Sequence, residues 1–173
     1  GGYGMGHDTS LHLAIAGEHH VTNALAAAAV ALDAGISVES VAEALGAATI
    51  SPWRMEVVTT PGEVTLINDA YNANPTSMSA ALTALGALPA RRRVAVLGEM
   101  AELGADAEAL HHEMVSQARS LGIEVVAVGT DAYGIAEVPP ADAAAVLSSL
   151  GEGEAALVKG SRAAGLEQLV SWV

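Results

Sequence analysis

The residues with the chemistry of a ligand site stand directly after apolar runs that are typical of strands. They are glycines, amides, hydroxyls, acids and a few cations, in the segments NDAYNANP (68–75), GEMAELG (98–104), GTD (129–131) and KGSR (159–162). Because the carboxyl ends of parallel strands meet at one edge of a sheet, we expect these segments to converge. The glycines permit close approach of a ligand, and Lys159, Ser161 and Arg162 could hold an anion at a helix start. Ordinary polar loops remain the alternative.

Other polar clusters favour structural roles. The histidine pairs at 19–20 and 111–112 cannot both face one metal ion from a helix, because adjacent side chains point about 100° apart, and surface or capping roles are favoured. The basic run at 91–93 precedes a strand and indicates a solvated loop. Four carboxylates follow predicted strands, those of Asp69, Glu99, Glu102 and Asp131. In so acidic a chain they do not identify a general acid or base, so we predict no catalytic residue and no metal ligand.

The elements that must position these residues alternate between strands and helices from residue 53 onward, which predicts an α/β fold with a parallel sheet. Strands are predicted at residues 55–59, 64–67, 94–97, 125–128 and 155–158, several of them continuous apolar runs typical of strands buried on both faces. Helices are predicted by apolar spacing at 78–88, 110–121, 142–150 and 166–173. Asn74 followed by Pro75 predicts the N-cap and first residue of the first of these helices.

The first fifty residues predict a smaller helical unit. Residues 1–10 have no apolar period and are expected to be a tag or linker. A short alternation at 11–15 predicts a strand, and Val21, Leu25, Ala28 and Leu32 predict a helix that Gly35 ends. Ser37 is placed to cap a second helix.

Composition excludes several classes of protein. The chain has 173 residues, of which 51% are hydrophobic, enough to bury a core. It has no cysteine, which excludes disulfides, thiolate metal sites and a cysteine nucleophile. Its formal net charge of −13 with seven lysines and arginines disfavours nucleic acid as a partner. No uncharged apolar run reaches the roughly 18 residues of a membrane span, so we expect no membrane insertion. The absence of cysteine favours a cytoplasmic location.

Three segments, in their order along the chain, resemble the Mur ligase family: GEHHVTNALAAA (17–28), WRME (53–56) and NDAYNANPTSM (68–78). Residues 69–78, VLGEMAELG (96–104) with His111, and LVKGSR (157–162) resemble the branch of the family whose acceptor is D-alanyl-D-alanine. The resemblance extends from about Leu11 to the end of the chain. It implies an enzyme of three domains, which bind a UDP-sugar substrate, ATP and the incoming amino acid or dipeptide.

By this resemblance, residues 11–52 correspond to the end of the central ATP-binding domain and residues 53–173 to the C-terminal domain. The implied fold is α/β, a Rossmann-like, parallel-rich sheet with flanking helices, preceded by a small helical remnant. The sequence has neither a G-x-x-x-x-G-K-[ST] phosphate loop nor a G-x-G-x-x-G fingerprint. We therefore expect the isolated chain to hold no cofactor and to be inactive. Without the rest of its domain, the helical remnant would expose apolar alanines and leucines, so we expect residues 11–50 to self-associate or to be disordered.

The resemblance also implies a reaction. ATP, with Mg²⁺, would phosphorylate the carboxylate of UDP-N-acetylmuramoyl-tripeptide, and the amine of D-alanyl-D-alanine would displace phosphate from the acyl phosphate to form an amide. Three residues are implied at the nucleotide: Asn23 by the adenine, Arg54 near the phosphates and Asp69 on the ribose hydroxyls. Six are implied at the substrates: Tyr71, Asn72 and Asn74 in the cleft, and Lys159, Ser161 and Arg162 at the dipeptide.

Two alternatives remain open. One is another Mur-type ligase or a folylpolyglutamate synthase, against which the run Tyr71-Asn72-Ala73-Asn74-Pro75 argues. The other is a stand-alone ligand-binding or protein-binding module without chemistry. The site residues also have structural explanations, since Asn74 and Asn23 can serve as helix-end hydrogen bonders and Asp69 as a loop cap.

Overall fold

The computed structural model describes residues 18–48 and 54–170. They belong to two compact units, Gly1–Ser51 and Pro52–Val173. The strand predicted at 11–15 and the expected linker at 1–10 lie outside the described residues. Among the helices of the described part, none combines the length and apolar character that crossing a bilayer requires.

The described part of the first unit, residues 18–48, forms two helices, α1 (Glu18–Asp33) and α2 (Val38–Gly46). Gly35 adopts a left-handed φ of 86° after α1, and Ser37 caps α2 by accepting a hydrogen bond from the Ser40 N–H at 3.2 Å, both as predicted. On α1, Leu25 and Val30 are strongly exposed. Self-association through residues 11–50 stays a prediction.

The second unit is built on a six-stranded sheet in the order β1-β2-β6-β3-β4-β5. The strands are β1 (Glu56–Thr59), β2 (Thr65–Asp69), β3 (Arg92–Leu97), β4 (Glu124–Val128), β5 (Glu137–Val138) and β6 (Glu154–Lys159). The helices are α3 (Pro75–Ala87), α4 (Ala107–Ser120), α5 (Pro140–Ser148) and α6 (Glu167–Val170). The predicted α/β class with a parallel-rich sheet is confirmed.

Two details of the sheet differ from the prediction. The strand β1 runs antiparallel to β2, because only five residues separate the two and a parallel crossover needs a dozen or more. The two-residue strand β5 carries no apolar run that could have revealed it. The basic run at 91–93 is a loop only at the exposed Arg91: β3 begins at Arg92, whose guanidinium pairs with the Glu124 carboxylate at 2.8 Å on neighbouring β4.

The core lies on both faces of the sheet because four successive residues in each of its two central strands are apolar. Residues 94–97 of β3 and 155–158 of β6 are all 0% exposed. One face is covered by α3 and α4, and the other by α5 and α6. Asn74 and Ser77 form a capping box at the start of α3, with Pro75 at the first helical position, as predicted.

The position of β6 in the sheet decides which loops meet. The last strand of the chain lies between β2 and β3, and Lys159 at its end is level with Asp69 on one side and with Leu97 on the other. The segments that follow β2, β3 and β6 therefore emerge side by side at the carboxyl edge. This is the place where the strand order of an open α/β sheet reverses and where such sheets bind ligands.

Two glycines allow the segments after β3 and β6 to touch. A Cβ atom placed on Gly98 would lie 2.7 Å from the Ala164 Cβ, and one placed on Gly160 would lie 3.1 Å from the Gly98 Cα. The Gly98 N–H donates to the Lys159 carbonyl at 2.9 Å, and the Ser161 N–H donates to the Glu99 carbonyl at 2.9 Å. The ladder between β3 and β6 thus continues past the strands into the loops.

We expect Gly98→Ala to destabilise the second unit by about 1–3 kcal/mol, because its methyl group has no space against Ala164 and Leu166. Gly86→Ala is the matched control: it lies in α3, where a Cβ would meet Leu121 at an ordinary 3.4 Å, and alanine favours helix by up to about 1 kcal/mol. Urea unfolding of both variants measures the difference. Equal stability of the two variants would contradict the close packing at Gly98.

Candidate functional site

A buried ion pair lies at the carboxyl edge between β2 and β6. Lys159 is only 1% exposed, and its Nζ pairs with the Oδ2 of Asp69, the residue opposite it in the parallel register. The same ammonium donates to the Asn72 carbonyl oxygen at 2.8 Å. Burial lowers the pKa of Lys159, and the charge of Asp69 opposes this effect. The pair therefore joins the end of β6 to the loop that follows β2.

The other oxygen of Asp69 holds the residue before β1. Its Oδ1 accepts a hydrogen bond from the Met55 N–H at 3.0 Å. Met55 has a left-handed φ of 47°, which costs a residue with a side chain about 1–2 kcal/mol. Glu56 is paired with Asn68 in the antiparallel ladder, so Met55 comes level with Asp69. This turn sets the direction in which Arg54 leaves the sheet.

Above the ion pair, two arginines lie on one tyrosine ring. The Arg54 guanidinium carbon is 4.1 Å from the Tyr71 ring centroid, and that of Arg162 is 5.6 Å from it. Both arginines are exposed, and within residues 18–48 and 54–170 neither takes part in a salt bridge. The Arg54 guanidinium, as hydrogen-bond donor and as positive charge, lowers the pKa of the Tyr71 phenol, and Arg162 adds to this shift.

These two cations lie at the surface of a chain with a net charge of −13. A planar guanidinium can donate two parallel hydrogen bonds to a carboxylate or a phosphate. Tyr71 holds both groups at a fixed surface by cation–π contact. The arrangement is suited to binding an anion.

The two asparagines of the loop have structural bonds as well. The Asn72 Oδ1 accepts from the Ala73 N–H at 2.8 Å, while the Asn74 Oδ1 accepts from the Ser77 N–H at 2.8 Å as the N-cap of α3. Both residues are exposed. Their amide groups retain donors that can face a ligand.

The structure brings eight of the nine predicted site residues to this edge: Arg54, Asp69, Tyr71, Asn72, Asn74, Lys159, Ser161 and Arg162. Ser161 is 4% exposed and carries the backbone bond to the segment after β3. Asn23 lies in the first unit, exposed on α1.

The described residues contain no group of three or more histidine or acidic side chains that could hold a metal ion. The ligand roles that the family resemblance implies for the nine residues stay predictions.

One residue that supports the edge was misjudged from the sequence. His111 is fully buried, whereas the expectation for it was a surface or capping role. Its Nε2 accepts from the Met100 N–H at 2.9 Å and its Nδ1 donates to the Ala107 carbonyl at 2.6 Å, a pattern that requires the neutral Nδ1–H tautomer. The signal was available, because Met114, Val115 and Ala118 follow His111 at helical spacing and are buried with it.

A buried tyrosine completes this support. The Tyr133 ring contacts His111 edge to face at 4.7 Å, and its hydroxyl donates to the Gly98 carbonyl at 2.8 Å. Burial raises the pKa of Tyr133 well above its ordinary value. His111 and Tyr133 together fix the backbone of residues 98–100 next to Gly160.

Residues 53–172 match the family model described as "Mur ligase, glutamate ligase domain". This match covers well over half of the chain, and the chain belongs to the Mur ligase family, as the motifs predicted. Of the curated relatives, the UDP-N-acetylmuramoyl-tripeptide–D-alanyl-D-alanine ligase of Mycobacterium tuberculosis (strain CDC 1551 / Oshkosh) is 44% identical over 192 aligned residues. The alignment covers 90% of this chain and 38% of that relative, so the chain spans well under half of the relative's length.

Two solved structures show the same fold. MurF from Acinetobacter baumannii superposes with a TM-score of 0.77 at 32% identity, covering 93% of this chain and 38% of that one. MurF from Thermotoga maritima, in complex with ADP, superposes with a TM-score of 0.72 at 25% identity, covering 90% of this chain and 38% of that one. The similarity thus extends over almost the whole of this chain.

We expect the pKa of Tyr71 to rise toward its ordinary value in Arg54→Ala and to rise less in Arg162→Ala, because Arg54 is the larger cause of its lowering. Arg119→Ala, an exposed arginine on α4, is the control and should leave Tyr71 unchanged. Carbon-13 tyrosine NMR follows the titration, with Tyr71→Phe for assignment. A Tyr71 titration that is identical in Arg54→Ala and in the unchanged chain would refute the stacked arrangement.

Proposed function

We propose that this chain is the acceptor-binding part of an ATP-dependent ligase that adds D-alanyl-D-alanine to UDP-N-acetylmuramoyl-tripeptide through an acyl phosphate. The observation that carries the proposal is the 44% identity to a relative of that name over 90% of the chain. The similarity to a MurF structure in complex with ADP supports a nucleotide as cosubstrate. A cytoplasmic location fits such substrates.

The two exposed arginines suit two of the anionic groups that the reactants bring, the phosphates of the nucleotide and the carboxylate of the dipeptide. We assign Arg54 to the phosphates of the nucleotide and Arg162 to the carboxylate of the dipeptide, with Tyr71 between them. Charge-assisted hydrogen bonds from a guanidinium are about twice as strong as neutral ones, and a nearby pair of cations stabilises the negative charge of a transferring phosphoryl group. These two anionic groups would thus be held side by side by the arginines that contact one tyrosine ring.

The remaining predicted contacts are assigned by the resemblance. Asp69 is proposed for the ribose hydroxyls, where each carboxylate oxygen can accept a second donor besides Lys159 or the Met55 N–H. Asn72, Asn74, Lys159 and Ser161 are proposed to line the acceptor side, and Asn23 to contact the adenine. Mg²⁺ belongs to the proposed reaction, but the described residues contain no cluster of three or more acidic or histidine side chains that would hold it.

The proposed reaction needs this edge to orient the dipeptide amine toward the acyl phosphate more than it needs an acid or base from it. A carboxylate becomes an acyl donor only when its oxygen leaves as phosphate, and the amine of the dipeptide must then lie close to the carbonyl carbon. An acceptor held by its carboxylate at Arg162 presents its amine at the far end. We propose that this edge supplies that orientation.

We expect D-alanyl-D-alanine to bind to this chain and to shift the NMR signals of the loops at 69–74 and 159–162, while L-alanyl-L-alanine binds at least about tenfold more weakly, ~1.4 kcal/mol. Arg162→Ala should weaken the binding of D-alanyl-D-alanine by a similar factor, because a charge-assisted bond to the carboxylate is lost. The control Arg119→Ala should bind normally.

Equal affinity for the two dipeptides, or shifts confined to another face of the sheet, would contradict the proposed acceptor site. Absence of binding to the folded chain at millimolar dipeptide would contradict the claim that this part carries the site by itself.

A further inference from the structure

Hydrogen bonds centred on the buried Lys159–Asp69 pair connect three separate loops. Lys159 donates to the Asp69 carboxylate and to the Asn72 carbonyl, and Asp69 in turn holds the Met55 N–H. Each of the three loops carries one member of the exposed cluster. Arg54 directly precedes Met55, Tyr71 lies between Asp69 and Asn72, and Arg162 follows Lys159 by three residues.

We propose that the Lys159–Asp69 pair is a positioning device that sets the geometry of the Arg54–Tyr71–Arg162 cluster, with Asp69 directing Arg54 through the backbone of Met55. Lys159 and Asp69 are then positioning residues, besides any contact that they make with a ligand. What the cluster binds rests on the proposed function, but the geometry and its test do not.

Arg54 is free to adopt many side-chain conformations unless its backbone is fixed. A long, exposed arginine without an ion pair within the described part of the chain loses rotamer entropy when it settles on a ring, so its backbone must be fixed if the contact is to persist. The backbone next to it is fixed by a side chain rather than by the sheet, because Met55 precedes β1 and donates to the Asp69 Oδ1. The left-handed φ of 47° at Met55 persists only where such a bond holds it.

Burial fixes the contacts of the Lys159 side chain. At 1% exposure the ammonium must keep its acceptors, which are the Asp69 Oδ2 and the Asn72 carbonyl. Keeping both acceptors fixes the distance between the end of β2 and the loop at Tyr71. Arg162 is held on the same side by the bond from the Ser161 N–H to the Glu99 carbonyl.

The test is Asp69→Asn, which keeps the shape of the side chain. Asparagine offers only one oxygen, and the charged Lys159 ammonium binds it more strongly than the Met55 N–H does. The amide NH₂ then faces the Met55 N–H, and the hydrogen bond from Met55 to residue 69 is lost. We expect Arg54 to leave the ring and the pKa of Tyr71 to rise toward its ordinary value. Adding Arg54→Ala to Asp69→Asn should then change Tyr71 little further.

The direction of the change in the Tyr71 pKa distinguishes a positioning role of Asp69 from a direct effect of its charge. Removal of a negative charge near Tyr71 would by itself lower the pKa of the phenol. A folded Asp69→Asn chain whose Tyr71 titrates as in the unchanged chain, or lower, therefore overturns the proposal. Asp131→Asn makes the same chemical change at an exposed site after β4 and should leave Tyr71 unchanged.

Hydrogen exchange supplies a second measurement that needs no variant. In the unchanged chain the Met55 amide should exchange at least about 100-fold more slowly than an unprotected amide, although it lies outside the strands. Exchange of Met55 at the unprotected rate overturns the proposal even if Asp69→Asn fails to fold. Neither measurement uses a ligand, so failure here is distinct from failure to bind the dipeptide.

Discussion

The ion pair between Lys159 and Asp69 is the interaction on which the carboxyl edge of this sheet depends. A lysine at 1% exposure is tolerated only if its charge is matched and its donors are used. The parallel register supplies the match by placing Asp69 level with Lys159. The central position of β6 therefore does two things at once: it completes the apolar core and it brings a buried charge to the edge.

The rest of the edge packs closely against the segments that carry and flank the pair. Gly98 and Gly160 let the segments after β3 and β6 pack backbone against backbone. The Tyr133 hydroxyl donates a hydrogen bond to the Gly98 carbonyl. The neutral imidazole of His111 fixes Met100 in the same segment. The exposed arginines and Tyr71 thus lie next to segments whose backbone is held by close packing and hydrogen bonds. Preorganisation of this kind reduces the entropy that binding would otherwise cost.

Much of this fold was predictable from local sequence. The apolar runs at 94–97 and 155–158 identified the two central strands, and Asn74 with Pro75 identified the start of α3, because both signals act over a few residues. The alternation of strands and helices after residue 53 also predicted that polar segments would converge, since the carboxyl ends of parallel strands share an edge.

The features that were missed depend on contacts between distant residues. The left-handed turn at Met55 requires an acceptor fourteen residues away, and no local propensity favours it at a methionine. Lys159 and Asp69 were each predicted as ligand contacts, yet ninety residues of sequence separate two side chains that are bonded to each other. His111 was judged by its type instead of by its helical spacing.

The most direct test of the role of the pair is a double-mutant cycle of Asp69→Asn and Lys159→Met, measured as the free energy of unfolding in urea. Lys159→Met leaves a buried carboxylate without a counter-ion and should cost about 3–5 kcal/mol. Asp69→Asn should lower stability in the unchanged chain and raise it in the Lys159→Met background, where it removes the unpaired charge. If Asp69→Asn lowers stability by the same amount in both backgrounds, to within about 0.5 kcal/mol, the two charges are not coupled and the account is contradicted.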